Sequence, residues 1–195
     1  MTRNEQQPIQ IRKATADDAE AIQRLYYNYL GTHREYNPRG MLKSIERNSV
    51  YIAVVDENKI ISTITSAKTF DYIDRSAEPE KGMIAVGDKH IFLDNGVTHE
   101  IRNLCVDSAY RHQCIAKILL EQALSETPTR SYTFVLAPSG KVRAKELWES
   151  HGFRLQEIIK DIGNIMPWFC EQCAERKNGC SYCEFHVYME DKDLK

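Results

Sequence analysis

The chain has 195 residues, 42% hydrophobic and 28% charged, with a formal net charge of −2. Such a chain can build one core, or one core with an appendage. The balance of charge excludes a global positive field able to hold nucleic acid by counterion release, so no nucleic-acid partner is expected. The first residues, MTRNEQQP, are polar and lack the apolar stretch of a secretory leader. The longest apolar runs, such as Tyr51 to Val55, are of strand length and too short to span a bilayer. No membrane association and a cytoplasmic location are the expectation.

Glycine and proline are sparse, and no repeat or low-complexity linker interrupts the chain. Residues 9–13 (IQIRK) alternate as a first strand. Thr15 offers a helix cap with Asp18 three residues on, in the manner of a capping box. Ile22, Leu25, Tyr26 and Leu30 keep helical spacing, so a first helix runs to about Gly31, and a weaker one covers 38–47. Residues 50–56 and 59–69 are two strands joined at Glu57-Asn58. Residues 71–95 are polar and read as an irregular insertion with one short strand at 89–93.

Residues 99–106 (HEIRNLCV) are a central strand, with Glu100, Arg102 and Leu104 alternating onto one face, opposite Ile101 and Asn103. A helix follows from near His112, with Ile115, Ile118, Leu119 and Ala123 on one side. Residues 132–137 form a buried strand, 141–151 a helix stopped by Gly152, and 153–160 and 184–190 the last two strands. Strands mixed with helices define an α/β or α+β domain.

Four of the six cysteines fall in CEQCAERKNGCSYC, residues 170–183. Two CxxC pairs separated by six residues supply four thiolates, Cys170, Cys173, Cys180 and Cys183, a donor set that suits tetrahedral Zn²⁺. An all-cysteine site has no open position, so the metal would be structural. An iron–sulfur cluster is the second choice, and four reduced thiols or a redox pair are the bland one.

The segment VDSAYRHQCIAK, residues 106–117, runs from a strand through a turn into a helix. The first amides of a helix lack intrahelical partners and carry the positive end of its dipole, which suits a phosphate. Every strand–helix junction shares that property. The motif narrows the choice. RHQCIA, residues 111–116, resembles the Arg/Gln-x-x-Gly-x-Gly/Ala motif of the GNAT superfamily of N-acetyltransferases, and LCVDSAYR and KILLEQAL fit its flanking strand and helix. AKELWESHGF, residues 144–153, is similar to that superfamily's Ala-x-x-Leu-Tyr-x-x-x-Gly-Phe helix end.

The resemblance implies one domain over 1–195. Its sheet is mixed and largely antiparallel, flanked by helices, and splays after the fourth strand. The four-cysteine insertion falls between the last two strands. It also implies acetyl-CoA as co-substrate and a primary amine as acceptor. Main-chain groups around Leu104, Cys105 and Val106 would meet the pantetheine arm. The amides of His112, Gln113, Cys114, Ile115 and Ala116 would hold the pyrophosphate, with Arg111 and Lys117 adding charge. Glu100 lies eleven positions before Arg111, the offset of the catalytic glutamate in histone-type members. It is the candidate general base, its plain alternative being a strand glutamate facing solvent or pairing with Arg102.

Three positions depart from the pattern. Cys114 replaces the usual glycine, Lys141 stands where many relatives have asparagine, and Trp148 occupies the slot of a tyrosine acid. An indole N–H is no useful proton donor, which leaves Ser139, Tyr110 and His99 as candidates. The departures keep open a catalytically weak acyl-CoA sensor, and the cysteines a partner-recruiting module. The acceptor's identity and a homodimer are left open.

Overall fold

The structure is a computed structural model that describes residues 8–30, 38–68, 83–86, 89–92, 97–127, 130–138, 142, 144–160 and 183–191. Seven strands follow the order β1-β2-β3-β6-β7-β9-β8, and β4 with β5 forms a separate ladder. Here β1 is Gln10–Lys13, β2 Ser49–Val55, β3 Lys59–Lys68, β4 Met83–Val86, β5 Lys89–Phe92 and β6 Val97–Val106. The remaining strands are β7 Arg130–Pro138, β8 Phe153–Ile159 and β9 Cys183–Glu190. The helices are α1 Ala19–Tyr29, α2 Pro38–Arg47, α3 Ile115–Ser125 and α4 Lys145–Ser150. The β1–β2, β2–β3, β4–β5, β7–β9 and β8–β9 pairs are antiparallel, and the β6–β7 pair is parallel. The expected mixed, largely antiparallel sheet is therefore present.

The chain forms two compact units, residues 1–66 with 102–126, and 67–101 with 127–195, so β6 contributes to both. In the first unit, β2 reads SVYIAVV and is buried along nearly its whole length. Its Val50, Ile52 and Val54 join Ile22, Leu25 and Tyr26 of α1 and Met41 of α2 in one apolar cluster. Tyr51, Ala53 and Val55 alternate to the other face, and α3 packs on β2 through a stripe that includes Leu119, Leu120 and Ala123. The entry to α1 is set by Asp18. Its carboxylate accepts the Thr15 amide at 2.7 Å and receives both Arg12 guanidinium nitrogens at 2.7 and 2.9 Å. The Thr15–Asp18 pairing expected from sequence is thus made, although a 3-10 turn, Ala16–Asp18, precedes the α-helix.

In the second unit, β9 lies between β7 and β8, pairing antiparallel with both. Trp148 of α4 packs edge-on against Phe153 of β8 with ring centroids 5.3 Å apart. Gly152 ends α4 at φ +83°. Residues 71–95 are less irregular than their polarity suggests, because Met83–Val86 pairs with Lys89–Phe92. Among the described residues, no helix is long and apolar enough to cross a membrane.

Candidate functional site

The chain leaves β6 at Val106 and turns through a 3-10 segment, Ser108–Tyr110. The turn is anchored from several sides. The Asp107 amide donates to the Ile61 carbonyl of β3 at 2.8 Å, and the Asp107 side chain accepts the Ala109 amide at 2.9 Å. Tyr110 receives Lys59, which donates to its hydroxyl at 3.3 Å and lies 5.1 Å from its ring centre. Arg111 stacks on Tyr29 of α1 at 5.5 Å, while its Nε donates to the Val106 carbonyl at 3.2 Å. A guanidinium held on both sides in this way is oriented at little further entropic cost.

Two left-handed residues follow, His112 at φ 63° and Cys114 at φ 59°, and α3 begins at Ile115. The helix therefore starts three residues later than the sequence suggested, because left-handed backbone at non-glycine positions leaves no mark in hydrophobic periodicity. Cys114 is the N-cap, and its side chain accepts no bond from the first turn. The amides of Ile115, Ala116 and Lys117 are accordingly without intrahelical acceptors, at the positive end of the helix dipole. His112, Gln113 and Cys114 are exposed, Ile115 is buried as a core anchor, and Lys117 reaches solvent 3.9 Å from Glu121. The arrangement is a compact turn with unpaired main-chain donors at its end and the cations Arg111 and Lys117 in the same segment.

A family model described as Acetyltransferase (GNAT) family matches residues 16–153. The chain belongs to this GNAT family. Solved structures agree in fold. Arabidopsis thaliana NAA60 with acetyl-CoA superposes with a TM-score of 0.63 at 16% identity, covering 95% of this chain and 99% of that one. The ribosomal-protein-S18-alanine N-acetyltransferase of Escherichia coli gives 0.59 at 12% identity, with 94% and 93% covered. An IAA acetyltransferase from Bacillus cereus gives 0.57 at 16%, with 94% and 99% covered. No curated protein matches the sequence significantly.

Within this GNAT chain, Cys114 adopts the left-handed backbone that glycine takes without strain, so the turn keeps a conformation suited to the family's usual residue. Cys105 turns its side chain into the core, where burial pushes its thiol up to about 12, and its carbonyl accepts from Ser62 at 2.6 Å. Leu104 and Val106 are half-buried. Regular alternation along β6 fails at Asn103, whose φ of 56° is left-handed.

Glu100 is half-buried in the part of β6 that belongs to the second unit, opposite Tyr132 in the parallel ladder. Among the described residues, that ladder goes no further than this pair, whereas β7 stays paired with β9 as far as Pro138. Of the candidate acids, Tyr110 is engaged by Lys59 and His99 lies opposite Ser131. Ser139 and Lys141 fall outside the described residues. Trp148 is a core residue against Phe153.

Cys170, Cys173 and Cys180 fall outside the described residues, and Cys183 is the half-buried first residue of β9. Among the described residues, no group of three or more metal-binding side chains comes together. Sequence reading missed Tyr29, Lys59 and Asp107. Asp107 followed by Ser108 carries a local turn signal. Tyr29 and Lys59 act across the fold and carry none.

Proposed function

We propose that the chain transfers an acetyl or other small acyl group from coenzyme A to a primary amine. The observation that carries this reading is the uncapped start of α3, set by left-handed Cys114 inside the family motif and flanked by braced Arg111. The pyrophosphate would rest on the amides of the 112–117 segment. Main-chain groups of Leu104 and Val106 would meet the pantetheine arm. The Val106 carbonyl already receives the Arg111 Nε. Acetyl-CoA as donor is also the ligand of the Arabidopsis NAA60 structure.

Glu100 is proposed as general base, directly or through a water. It would take the proton of the attacking amine as nitrogen bonds to the thioester carbonyl and the carbon–sulfur bond breaks, releasing the coenzyme thiolate. A thiolate leaves readily, so main-chain polarisation of the carbonyl can carry much of the rate without a dedicated acid. This fits Trp148 standing buried in the slot of a family tyrosine. Replacing the base tests the mechanism. Glu100→Gln should lower turnover at neutral pH by more than about tenfold, read as thiol release with a panel of primary amines, with acetyl-CoA affinity retained. Unchanged turnover removes Glu100 as base.

Trp148 also favours a second reading, an acyl-CoA sensor that binds without turnover. A thermal shift with acetyl-CoA and no thiol release with any amine would select it. The four cysteines are proposed to hold one structural Zn²⁺. Support comes from the CxxC spacing and the closed thiolate donor set.

A further inference from the structure

Three cations flank the turn that leaves β6, and they are engaged differently. Lys59, at the start of β3, donates to the Tyr110 hydroxyl at 3.3 Å and lies over its ring. Lys117, in the first turn of α3, lies 3.9 Å from the Glu121 carboxylate. Arg111 has no carboxylate within ion-pairing distance among the described residues. Its Nε donates to the Val106 carbonyl at 3.2 Å, and among the described residues its two terminal nitrogens make no hydrogen bond.

Arg111 is exposed, and an exposed arginine ordinarily samples many rotamers. This one is held. Its guanidinium carbon lies 5.5 Å from the centre of the Tyr29 ring. The ring is itself fixed, because Tyr29 ends α1 one turn beyond Leu25 and packs on the apolar cluster of that helix. The Tyr29 hydroxyl is 3.5 Å from Ser108 Oγ, too long for a strong bond, so the ring face is what Tyr29 offers. Tyr29, Val106, Ser108 and Arg111 all belong to the first unit. A guanidinium set between an aromatic face and a carbonyl has lost rotamer freedom before any ligand arrives, so a ligand need not meet that cost. Its planar outer edge matches the oxygens of a phosphate. The open amides at the start of α3 follow four residues later.

We propose that Tyr29 is a positioning residue: by stacking on Arg111 it presents the outer guanidinium nitrogens to a phosphate of the coenzyme's nucleotide. The role rests on the coenzyme reading above. It gives the end of α1 a part in gripping the donor, which the motif at 111–116 does not contain.

A double-mutant cycle on the full chain, read by calorimetry with coenzyme A, separates this role from packing. Arg111→Ala should weaken binding about tenfold, the worth of a hydrogen bond to a charged group. Tyr29→Leu should weaken it about threefold, the worth of a cation–aromatic contact at an exposed site, and Tyr29→Phe, which keeps the ring, should stay within about twofold of wild type. In the Arg111→Ala background, Tyr29→Leu should change nothing further. Tyr29→Met takes the place of Tyr29→Leu if the latter does not fold. Dephospho-coenzyme A, which lacks the 3′-phosphate, locates the contact: a smaller effect of Arg111→Ala on this ligand assigns the 3′-phosphate, and an equal effect assigns the pyrophosphate. An undiminished effect of Tyr29→Leu without Arg111, equal weakening by Tyr29→Phe and Tyr29→Leu, or unchanged affinity in Arg111→Ala overturns the positioning role. Wild-type protein with no affinity for coenzyme A defeats the coenzyme reading itself, and the role with it.

Discussion

Cys114 holds a left-handed conformation that costs an L-residue about 1 kcal/mol, in the turn proposed to receive the coenzyme. Cys114→Gly should therefore stabilise the fold by about 0.5–1 kcal/mol in denaturant unfolding and tighten acetyl-CoA binding. A loss of stability would mean that the thiol makes a contact outweighing the relief of strain. Asp18 works in the opposite sense. Its Arg12 partner, followed by the Thr15 amide and hydroxyl, holds the carboxyl below its ordinary 3.8. A depressed carboxyl contributes stability that is complete above the unfolded-state value and disappears as pH falls through the folded-state value. Asp18→Asn should thus cost about 1–3 kcal/mol near neutrality, and the gap to wild type should close below about pH 3.8 in urea titrations. Membership of the GNAT family was legible at this scale because the motif at 111–116 is contiguous. Tyr29 and Lys59 were not, since each contributes through a contact made only after folding.

Elements show the same division between local and non-local information. Gly152 ends α4 at φ +83°, and a Cβ there would meet the Asp191 carbonyl oxygen at 3.3 Å. Gly152→Ala should destabilise by about 1–2 kcal/mol, checked by chemical denaturation. The strands β2 and β7 were legible from their apolar runs, and β3 and β9 from their β-branched and aromatic residues. α1 was legible from its cap and spacing. The start of α3 was misplaced because His112 and Cys114 adopt positive φ without being glycine. The kink at Asn103 was hidden inside HEIRNLCV, which alternates well enough to pass as regular. β4 escaped notice because a four-residue strand in a polar setting offers too few positions to establish a period.

For the molecule as a whole, metal content is the sharpest test. Protein purified without added zinc should contain about one ion per chain, measured by elemental analysis, and lose it to a strong chelator. A metal-free, fully folded sample would discard the zinc site. In the second unit β9 is bonded on one edge to β7 and on the other to β8. That position has a kinetic corollary. Phe153 pairs with Glu190 and Tyr132 with Met189, so both ladders wait for a segment far along the chain. Long closures of this kind slow folding. Until β9 arrives, β7 and β8 each present a bare edge to neighbouring chains, so refolding at high protein concentration favours aggregation over recovery.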